Sequence, residues 1–307
     1  MIANALVLTA GLGTRLRPLT RVRAKPAMPV GGEALVRRII GWLAGRGVTD
    51  LVLNLHHLPE TVTAEVGDGA DLGARVRYSW EQPVVLGSAG GPRHALDIVG
   101  AGTFFLVNGD TLTDLDPAAL AAEHARSGAL VTLALVPNTA PGHYGGVRLD
   151  AEGRVTGFVP RGPGAAGSCH FIGVQVVNAE VFAGLPPRTP ASSIGGVYDE
   201  LVATRPGAVR GVVTGAAFWD VGTAADYWAT SAAFAPGDGN QIGRRCRIDP
   251  SARVTRSILW DDVEVGADCR LDECIVTDRV RVGDGRRRHR EILFDADGRL
   301  ATAPLVL

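Results

Sequence analysis

One stretch near the N-terminus decides the fold, namely Leu8-Thr9-Ala10-Gly11-Leu12-Gly13-Thr14-Arg15-Leu16-Arg17-Pro18-Leu19-Thr20. The apolar residues that lead into it indicate a buried strand that runs directly into a glycine turn. A turn with so little side chain lets main-chain N–H groups approach an anion closely, and Thr14, Arg15 and Arg17 add a hydroxyl and two positive charges. The stretch therefore predicts a strand followed by a phosphate-binding loop.

Two other kinds of glycine-rich loop fit this stretch poorly. A dinucleotide-binding fingerprint requires a third glycine where Leu16 stands, and Pro18 does not suit the helix interior that should follow. A P-loop requires lysine and then serine or threonine directly after its second glycine, whereas Gly13 is followed by Thr14-Arg15, which excludes a P-loop. A plain glycine turn flanked by solvated arginines is the alternative without a ligand.

The use of basic residues singles out Lys25. The sequence contains 31 lysines and arginines together, and Lys25 is the one lysine among them. A compact ammonium fits among phosphate oxygens where a planar guanidinium does not. We therefore expect Lys25 to lie in the phosphate site, with chance retention of a lysine as the alternative.

These two segments together resemble the signature of the sugar-1-phosphate nucleotidylyltransferases, also called nucleotide-sugar pyrophosphorylases. The match is Leu-x-Ala-Gly-x-Gly-Thr-Arg-Leu-x-Pro-Leu-Thr from Leu8, followed by Lys-Pro-x-x-Pro-Val from Lys25. The resemblance implies that Arg15 and Lys25 are catalytic. It also implies nucleotide-binding roles for Ala10, Gly11, Gly13 and Thr14.

A second glycine-rich segment, residues 81–91, follows a predicted strand from Arg75 to Trp80. Its small side chains leave backbone amides and carbonyls bare, which suits a flat base, whereas a glycine-rich start to the predicted helix from Pro92 to Ile98 is the alternative. The segment resembles the family's base-binding loop, with Ser88 in place of threonine. The resemblance implies nucleotide contacts from Glu81, Gly87, Ser88 and Ala89.

Two aspartates are the candidate metal ligands. Asp110 follows the apolar run Thr103 to Val107, and a carboxylate at the carboxyl end of a central parallel strand lies over the crevice where such sheets bind ligands. Asp220 precedes a predicted helix from Ala224 to Ala233 and could instead cap it. The resemblance makes Asp110 and Asp220 ligands of Mg²⁺ and gives Asp110 a catalytic role, while a plain turn aspartate is the alternative for Asp110.

From Asn138 the pattern changes to short strands joined by hairpins. In the family this half binds the sugar phosphate, which implies such a role for Tyr144, Gly145 and Arg161. The family's Glu-Lys pair is Pro160-Arg161 in this chain. Arg161 retains a charge that can bind phosphate, but the missing carboxylate leaves the identity of the sugar open.

A different sequence periodicity begins in the C-terminal part, after a predicted linker at residues 235–240. Ile242, Ile248 and Val254 recur every six residues, and apolar positions continue less regularly to Val282, which favours a short parallel β-helix. It resembles the left-handed hexapeptide-repeat tail of many family members. We therefore expect a nucleotidylyltransferase domain at 1–235 and a β-helix domain at 240–307. With no assigned role in catalysis, the tail is expected to serve packing or contact between subunits of a homo-oligomer.

Composition limits the partners of the chain. A formal net charge of -1 provides no general field for polyanions, so nucleic acid is not expected as a partner. The apolar segment Ile2 to Ala10 lacks a preceding basic residue and runs into the glycine turn, which fits neither a signal peptide nor a membrane span. Four cysteines without Cys-x-x-Cys spacing indicate reduced thiols and a cytoplasmic location.

The sequence thus predicts an α/β fold with a Rossmann-like, mostly parallel nucleotide-binding sheet, a sugar-binding lobe and a β-helix tail. The implied reaction is attack by a sugar 1-phosphate oxygen on the α-phosphorus of a nucleoside triphosphate, which releases pyrophosphate and requires no general base. GTP and mannose 1-phosphate, or a related sugar, are favoured. Uridylyl or thymidylyl transfer to glucose 1-phosphate or another sugar 1-phosphate is the alternative, and a catalytically silent regulatory subunit is an alternative of another class.

Overall fold

The computed structural model describes residues 2–235, 237 and 239–307, so Pro236 and Asp238 of the predicted linker lie outside the described residues. The chain forms two compact units. Unit 1 comprises Met1–Gly11 and Arg37–Phe218, and unit 2 comprises Leu12–Val36 and Trp219–Leu307. Most of the predicted phosphate-binding loop thus belongs to the same unit as the C-terminal part of the chain. The prediction instead divided the chain at a single point in the sequence. The boundary between a catalytic domain at 1–235 and a tail at 240–307 stays a prediction.

Unit 1 is organised around one sheet, which contains nine strands among the described residues. They are β1 (Asn4–Leu8), β2 (Asp50–Leu55), β3 (Arg75–Trp80), β4 (Thr103–Asn108), β5 (Val131–Pro137), β6 (Gly146–Leu149), β7 (Val155–Val159), β8 (Cys169–Asn178) and β9 (Val209–Val213). Strands β4, β1, β2 and β3 lie side by side and are all parallel. Strand β8 runs antiparallel to β4 and β5, and β6 and β7 form a hairpin. The predicted Rossmann-like fold is confirmed.

The inner parallel strands β1, β2 and β4 are largely apolar because both of their faces are covered. Leu6, Val52, Phe104 and Leu106 are fully buried in one core cluster. The helices of the chain are α1 (Leu35–Ala44), α2 (Pro59–Val66), α3 (Gly87–Val99), α4 (Pro117–Ser127), α5 (Glu180–Ala183), α6 (Tyr198–Thr204) and α7 (Ala224–Ala233). Across the residues that the structure describes, no helix combines the length and hydropathy that a membrane span requires.

Helix α3 differs most from its prediction. It begins at Gly87, whereas the sequence predicted a helix from Pro92 to Ile98. The small residues 87–91 therefore form the first turns of a helix rather than an open loop. Their amides point along the helix axis instead of lining a flat surface, which changes how this segment can contact a ligand.

Unit 2 contains the β-helix, whose strands stack in register every 17 residues. Its parallel sheets are built from Gln241–Ile242, Ile258–Leu259, Ile275–Val276 and Glu291–Ala296; from Arg247–Ile248, Glu264–Val265 and Arg281–Val282; and from Arg253–Thr255, Arg270–Asp272 and Arg287–His289. Leu271, Cys274 and Val276 are fully buried inside the coils. This arrangement is consistent with the predicted left-handed β-helix, although Ile242, a residue of the predicted hexad, is 44% exposed.

Short elements complete the fold. Strands Pro29–Val30 and Glu33–Ala34 form a hairpin, and α1 begins directly after it at Leu35. Strand Arg299–Pro304 pairs antiparallel with the last β-helix strand, a hairpin that the sequence did not predict. The remaining short strands are Thr111–Thr113 and Phe218–Asp220, and the 3-10 turns are Thr14–Leu16, Leu19–Arg21, Lys25–Ala27, Ala70–Leu72 and Pro163–Ala165.

Candidate active site

Asp110 lies in unit 1, directly beyond the carboxyl end of β4. Leu8 at the end of β1 pairs with Asn108 at the end of β4, and the Gly109 N–H donates to the Leu8 carbonyl at 3.0 Å. Asp110 is half-buried, and its Oδ1 accepts a long hydrogen bond of 3.4 Å from Thr111 Oγ1. The structure thus places Asp110 at the sheet edge that the sequence predicted for it.

The turn and capping roles near Asp110 belong to its neighbours. Asp116 is the N-cap of α4, and its Oδ1 accepts from the Ala118 N–H at 3.0 Å. Asp114 Oδ1 accepts from the Ala217 N–H at 2.8 Å. These two aspartates thus stabilise the local chain, while the metal-binding role of Asp110 stays a prediction.

A buried hydrogen-bond network connects the end of β1 with the segment after β3. Asn54 is its centre, because its Oδ1 accepts from the Thr9 N–H at 2.6 Å and its Nδ2 donates to Glu81 Oε1 at 2.7 Å. Glu81 Oε2 accepts from the Leu86 N–H at 2.6 Å. Thr9 and Asn54 are each 2% exposed and Glu81 is fully buried. The network fixes the segment 81–91 against the sheet.

Glu81 is enclosed by this network. A side chain with 0% exposure braces the segment from beneath, and the nucleotide contact that the resemblance implied for Glu81 stays a prediction. The space around it is also filled, since a methyl group on Gly91 would lie 2.6 Å from Glu81 Oε1 and 2.9 Å from Asn54 Nδ2. We assign Glu81, with Asn54, to holding the segment.

The first turn of α3 is engaged by residues 191–193. The Ala89 N–H donates to the Ala191 carbonyl at 2.9 Å, and the Ser193 N–H donates to Ser88 Oγ at 2.9 Å. Ala89 is fully buried, whereas Gly87 is exposed. The small residues of this turn thus serve packing as well as any contact with a base. The sequence missed residues 191–193, because they carry no pattern of periodicity or charge.

An aromatic cluster and a cavity mark the predicted sugar lobe. The Tyr144 ring stacks on His170 with ring centroids 4.0 Å apart and contacts Phe218 edge-on at 5.6 Å. Burial lowers the pKa of His170, so the stacked imidazole is neutral near pH 7. Beside this cluster a cavity of about 440 Å³ is lined by Gly145, Gly146, Val147, Phe158, Val159, Pro160, His170, Phe171, Ile194, Gly195 and Asp199.

The three predicted sugar-phosphate residues occupy different positions at this cavity. Gly145 lines it, and Tyr144 borders it through His170. Arg161 is exposed and follows Pro160 just outside the lining. Val159, Pro160 and Phe171 make part of the cavity wall apolar, and Pro160 stands where the family pattern has its glutamate.

The phosphate loop is a sharp turn in unit 2. Gly13 has a φ of 58°, and a methyl group on it would lie 2.7 Å from Thr20 Cγ2, so glycine is required there. Thr20 Oγ1 donates to the Gly13 carbonyl at 2.9 Å. Thr14 and Arg15 are exposed, whereas Leu16 is fully buried and anchors the turn. Ala10 and Gly11 precede the turn in unit 1, where Ala10 is buried and Gly11 exposed.

Lys25 lies next to the glycine of this turn. A methyl group on Gly13 would lie 3.5 Å from Lys25 Cβ. Lys25 opens the 3-10 turn Lys25–Ala27 and is half-buried. The structure thus brings Gly13 and Lys25 together, as the resemblance implied.

Three charged groups converge at Gly222. A methyl group on Gly222 would lie 3.0 Å from Asp220 Oδ2, 3.1 Å from Asp226 Oδ2 and 3.4 Å from Arg15 Nη2. The helix-cap alternative for Asp220 is wrong, because Thr223 is the N-cap of α7 and Asp226 completes a capping box with it. Asp226 was not predicted as a site residue, although the Thr-x-x-Asp spacing signals its capping role.

These carboxylates suit a hard divalent cation. Asp220 and Asp226 supply oxygen atoms, which such cations prefer, and Arg15 offsets part of their negative charge. The donor chemistry of this cluster therefore fits a hard divalent cation.

Two family models match the chain. One, described as nucleotidyl transferase, matches residues 4–236, and the other, described as GlmU-like C-terminal hexapeptide, matches residues 240–291. The solved structure of HddC from Yersinia pseudotuberculosis is similar with a TM-score of 0.66 over 76% of this chain and 100% of that chain. At 21% identity this likeness shows the fold.

Several curated proteins are similar in sequence. Mannose-1-phosphate guanylyltransferase of Mycobacterium tuberculosis is 29% identical, over 88% of this chain and 83% of that protein. UTP-glucose-1-phosphate uridylyltransferase of Synechocystis sp. is 26% identical, over 85% of this chain and 72% of that protein. N-acetylmuramate alpha-1-phosphate uridylyltransferase of Neisseria meningitidis is 34% identical, over 59% of this chain and 78% of that protein.

Proposed function

Because this chain belongs to the nucleotidyl transferase family, we propose that it transfers guanylyl from GTP to mannose 1-phosphate or a related sugar 1-phosphate. The coarser activity, that of a sugar-1-phosphate nucleotidyltransferase, is common to the relatives described above. The observation that carries the proposal is the pair of clusters in unit 2, where Lys25 lies beside Gly13 and Arg15 lies beside Asp220. Both clusters unite residues that the signature singled out from sequence.

The proposed reaction is an in-line displacement at the α-phosphorus. An oxygen of the sugar phosphate forms a bond to that phosphorus while the bond to the β-phosphate oxygen breaks, and pyrophosphate leaves with the electron pair. The nucleophile is already an anion, so no side chain has to remove a proton. The protein must instead position two polyanions and stabilise negative charge in the transition state.

Each candidate residue has a part in this scheme. The exposed turn at Gly13 and Thr14 offers backbone N–H groups to the triphosphate, and Arg15 adds a guanidinium at the same turn. Lys25 would lie beside the reacting phosphate and neutralise the negative charge that builds up there in the transition state. Ala10, Gly11, Gly87, Ser88 and Ala89 stay proposed nucleotide contacts, and Tyr144, Gly145 and Arg161 stay proposed contacts to the sugar phosphate.

We propose Mg²⁺ as the divalent metal, with Asp110 and Asp220 as its protein ligands. A bound Mg²⁺ neutralises phosphate oxygens and polarises the phosphorus that is attacked. Asp226 holds the start of α7 and its Oδ2 accepts from the Thr223 N–H at 2.8 Å, which supports a role in orienting the segment that carries Asp220.

The substrates are the open part of the proposal. Relatives named as guanylyltransferases and as uridylyltransferases match this chain comparably, so uridylyl or thymidylyl transfer is the second candidate. The apolar wall of the cavity at Val159, Pro160 and Phe171 favours a sugar that presents few hydroxyl groups there. A cytoplasmic location, supported by four cysteines that are all free thiols, and homo-oligomers formed through the β-helix complete the proposal.

A pyrophosphate-release assay tests the function. Purified full-length protein would be offered GTP, UTP, dTTP and ATP with mannose 1-phosphate, glucose 1-phosphate and N-acetylmuramate 1-phosphate, with and without Mg²⁺. We expect release only when a triphosphate, a sugar phosphate and the metal are all present, and fastest release with GTP. Turnover with UTP or dTTP but not with GTP would select the second candidate. Absence of pyrophosphate release with every pair of triphosphate and sugar phosphate would favour the silent regulatory subunit.

A further inference from the structure

The Arg23 guanidinium is held between two β-helix carboxylates. Its Nε donates to Asp278 Oδ2 at 2.7 Å, and its Nη2 donates to Asp278 Oδ1 at 2.7 Å and to Asp261 Oδ2 at 2.8 Å. Only 11% of the Arg23 side chain is exposed. Its guanidinium carbon also lies 5.5 Å from the centroid of the Trp260 ring. Arg23 stands two positions before Lys25 in the sequence, and both residues belong to unit 2.

The β-helix stacks the two aspartates to receive this guanidinium. Asp261 and Asp278 are one coil apart, and the Asp261 N–H donates to Asp278 Oδ1 at 3.0 Å. Asp261 Oδ1 in turn accepts from the Arg244 N–H at 2.7 Å. Burial by itself lowers the pKa of Arg23, but the hydrogen bonds and charges of Asp278 and Asp261 raise it, so the guanidinium stays charged.

Two further contacts tie the segment after Lys25 to the same unit. Gln241 Oε1 accepts from the Gly31 N–H at 2.6 Å, while its Nε2 donates to the Ser231 carbonyl at 2.9 Å. The Tyr227 hydroxyl donates to the Pro29 carbonyl at 2.6 Å and accepts from Trp260 Nε1 at 3.0 Å. Residues 23–31 are therefore fixed at three points by side chains from the C-terminal part of the chain.

The segment has little regular structure of its own. Between Gly13 and Met28 it consists of the three-residue turns Thr14–Leu16, Leu19–Arg21 and Lys25–Ala27. Single 3-10 turns have weak hydrogen-bond geometry and do not maintain a conformation alone. The position of the Lys25 ammonium thus depends on contacts from outside the segment.

We propose that Arg23 is a positioning residue, through which Asp261 and Asp278 of the β-helix set the place of Lys25. This inference rests on the proposed function for its catalytic consequence. It gives the tail a part in the reaction without a residue of the tail touching the substrates. Small displacements of a positioned group cost rate steeply, so loosening this ion pair lowers kcat more than it weakens binding of the sugar phosphate.

Steady-state kinetics of full-length variants test the proposal. Asp278→Asn keeps the shape of the aspartate and removes its charge, and Arg23→Lys keeps the charge but loses the two-pronged contact. The matched control is Arg245→Ala, because Arg245 makes an equally short pair of bonds to Asp262, at 2.6 and 2.7 Å, on the exposed surface of the β-helix. We expect about tenfold or greater loss of kcat in Asp278→Asn and a smaller loss in Arg23→Lys. KM for the sugar phosphate should stay within about twofold, and Arg245→Ala should leave both constants unchanged.

A chemical readout keeps the test independent of turnover. Because Lys25 is the one lysine, its rate of acylation by an amine-reactive ester can be followed by mass spectrometry on the intact fold. We expect faster acylation of Lys25 in Asp278→Asn, which adds no second lysine, and the wild-type rate in Arg245→Ala. Folded variants with wild-type kcat and wild-type acylation would overturn the inference. Changed acylation in a protein that shows no turnover with any substrate pair would overturn the proposed function and leave the positioning role of Arg23 supported.

Discussion

The two glycine-rich segments of this chain are held in place by different means. The segment 81–91 in unit 1 is fixed from beneath by Asn54 and Glu81, which belong to the sheet that the segment follows. The segment that carries Lys25 in unit 2 is fixed by Arg23 and by side chains of the β-helix more than two hundred positions away in sequence. The comparison shows that the two segments depend on separate parts of one chain.

The difference also changes the interpretation of the tail. From sequence, the β-helix was expected to serve packing or contact between subunits, because it carries no catalytic motif. The ion pairs from Arg23 to Asp261 and Asp278 show that the tail also packs against the segment around Lys25 within unit 2. A stabilising domain can therefore affect the rate of a reaction without supplying a ligand-binding group.

The largest expected effect on activity comes from replacing Lys25. Lys25→Ala should lower kcat by about a hundredfold or more with the fold intact, because the ammonium matters most when negative charge builds up in the transition state. Arg21→Ala is the control, since Arg21 is an exposed cation in the same segment with no assigned role. Circular dichroism and kinetics on both variants would check this, and a folded Lys25→Ala with wild-type turnover would exclude Lys25 from the site.

Loosening the segment 81–91 should mainly lower the free energy of unfolding. Asn54→Ala removes a donor to a fully buried carboxylate and an acceptor from the Thr9 N–H, and each unsatisfied buried group costs about 1–3 kcal/mol. We expect urea denaturation to show a loss of that order. Asn138→Ala is the control, because Asn138 is only half-buried and its side chain makes hydrogen bonds of 3.2, 3.3 and 3.4 Å. The rate of Lys25 acylation should stay unchanged in both variants. Faster acylation in Asn54→Ala would mean that the two segments depend on the same support.

A smaller effect should appear with pH at Asp261. Burial raises the pKa of this carboxyl, but hydrogen bonds from Arg244 and Arg23 outweigh it and lower the pKa from 3.8 to about 2. The charged carboxylate therefore contributes stability that is present above about pH 4 and is lost as the pH falls towards 2. At about 1.4 kcal/mol per pKa unit, the contribution is on the order of 2 kcal/mol.

The free energy of unfolding at pH 5 and at pH 3 checks this effect. We expect Asp261→Asn to flatten the difference that the wild type shows between these two values. Asp262→Asn is the neighbouring control, because hydrogen bonding to Arg245 lowers the pKa of Asp262 while that carboxylate stays at the surface. An equal change in the pH dependence of the two variants would mean that the buried pair of Asp261 with Arg23 adds no more stability than the surface pair of Asp262 with Arg245.

Much of this architecture could be predicted from local pattern. Strand Arg75–Trp80 and helix Ala224–Ala233 have the predicted bounds, because apolar runs and helical periodicity report burial directly. The convergence of Gly13 with Lys25 could be inferred from a compact signature. Helix α3 began earlier than predicted, because Gly87 and its neighbours tolerate a helix once residues 191–193 pack against them.

The supports of both segments could not be predicted, for a physical reason. Periodicity shows that Asn54 and Glu81 border apolar runs, but it does not show which polar partner each one meets inside the fold. The pairing of Arg23 with Asp278 spans 255 positions and depends on the coil register that stacks Asp278 on Asp261. Only the folded β-helix brings the two carboxylates to one guanidinium.

Hydrogen exchange on full-length Asp278→Asn and wild type tests the central claim most directly, because it reports on both segments in one sample. We expect faster exchange of the amides in residues 12–31 and unchanged exchange in residues 81–91. Arg245→Ala, measured in parallel, should match the wild type in both segments. The account is that the β-helix holds residues 12–31 while the sheet holds residues 81–91. Equally faster amide exchange in both segments, or unchanged exchange in residues 12–31, would contradict it.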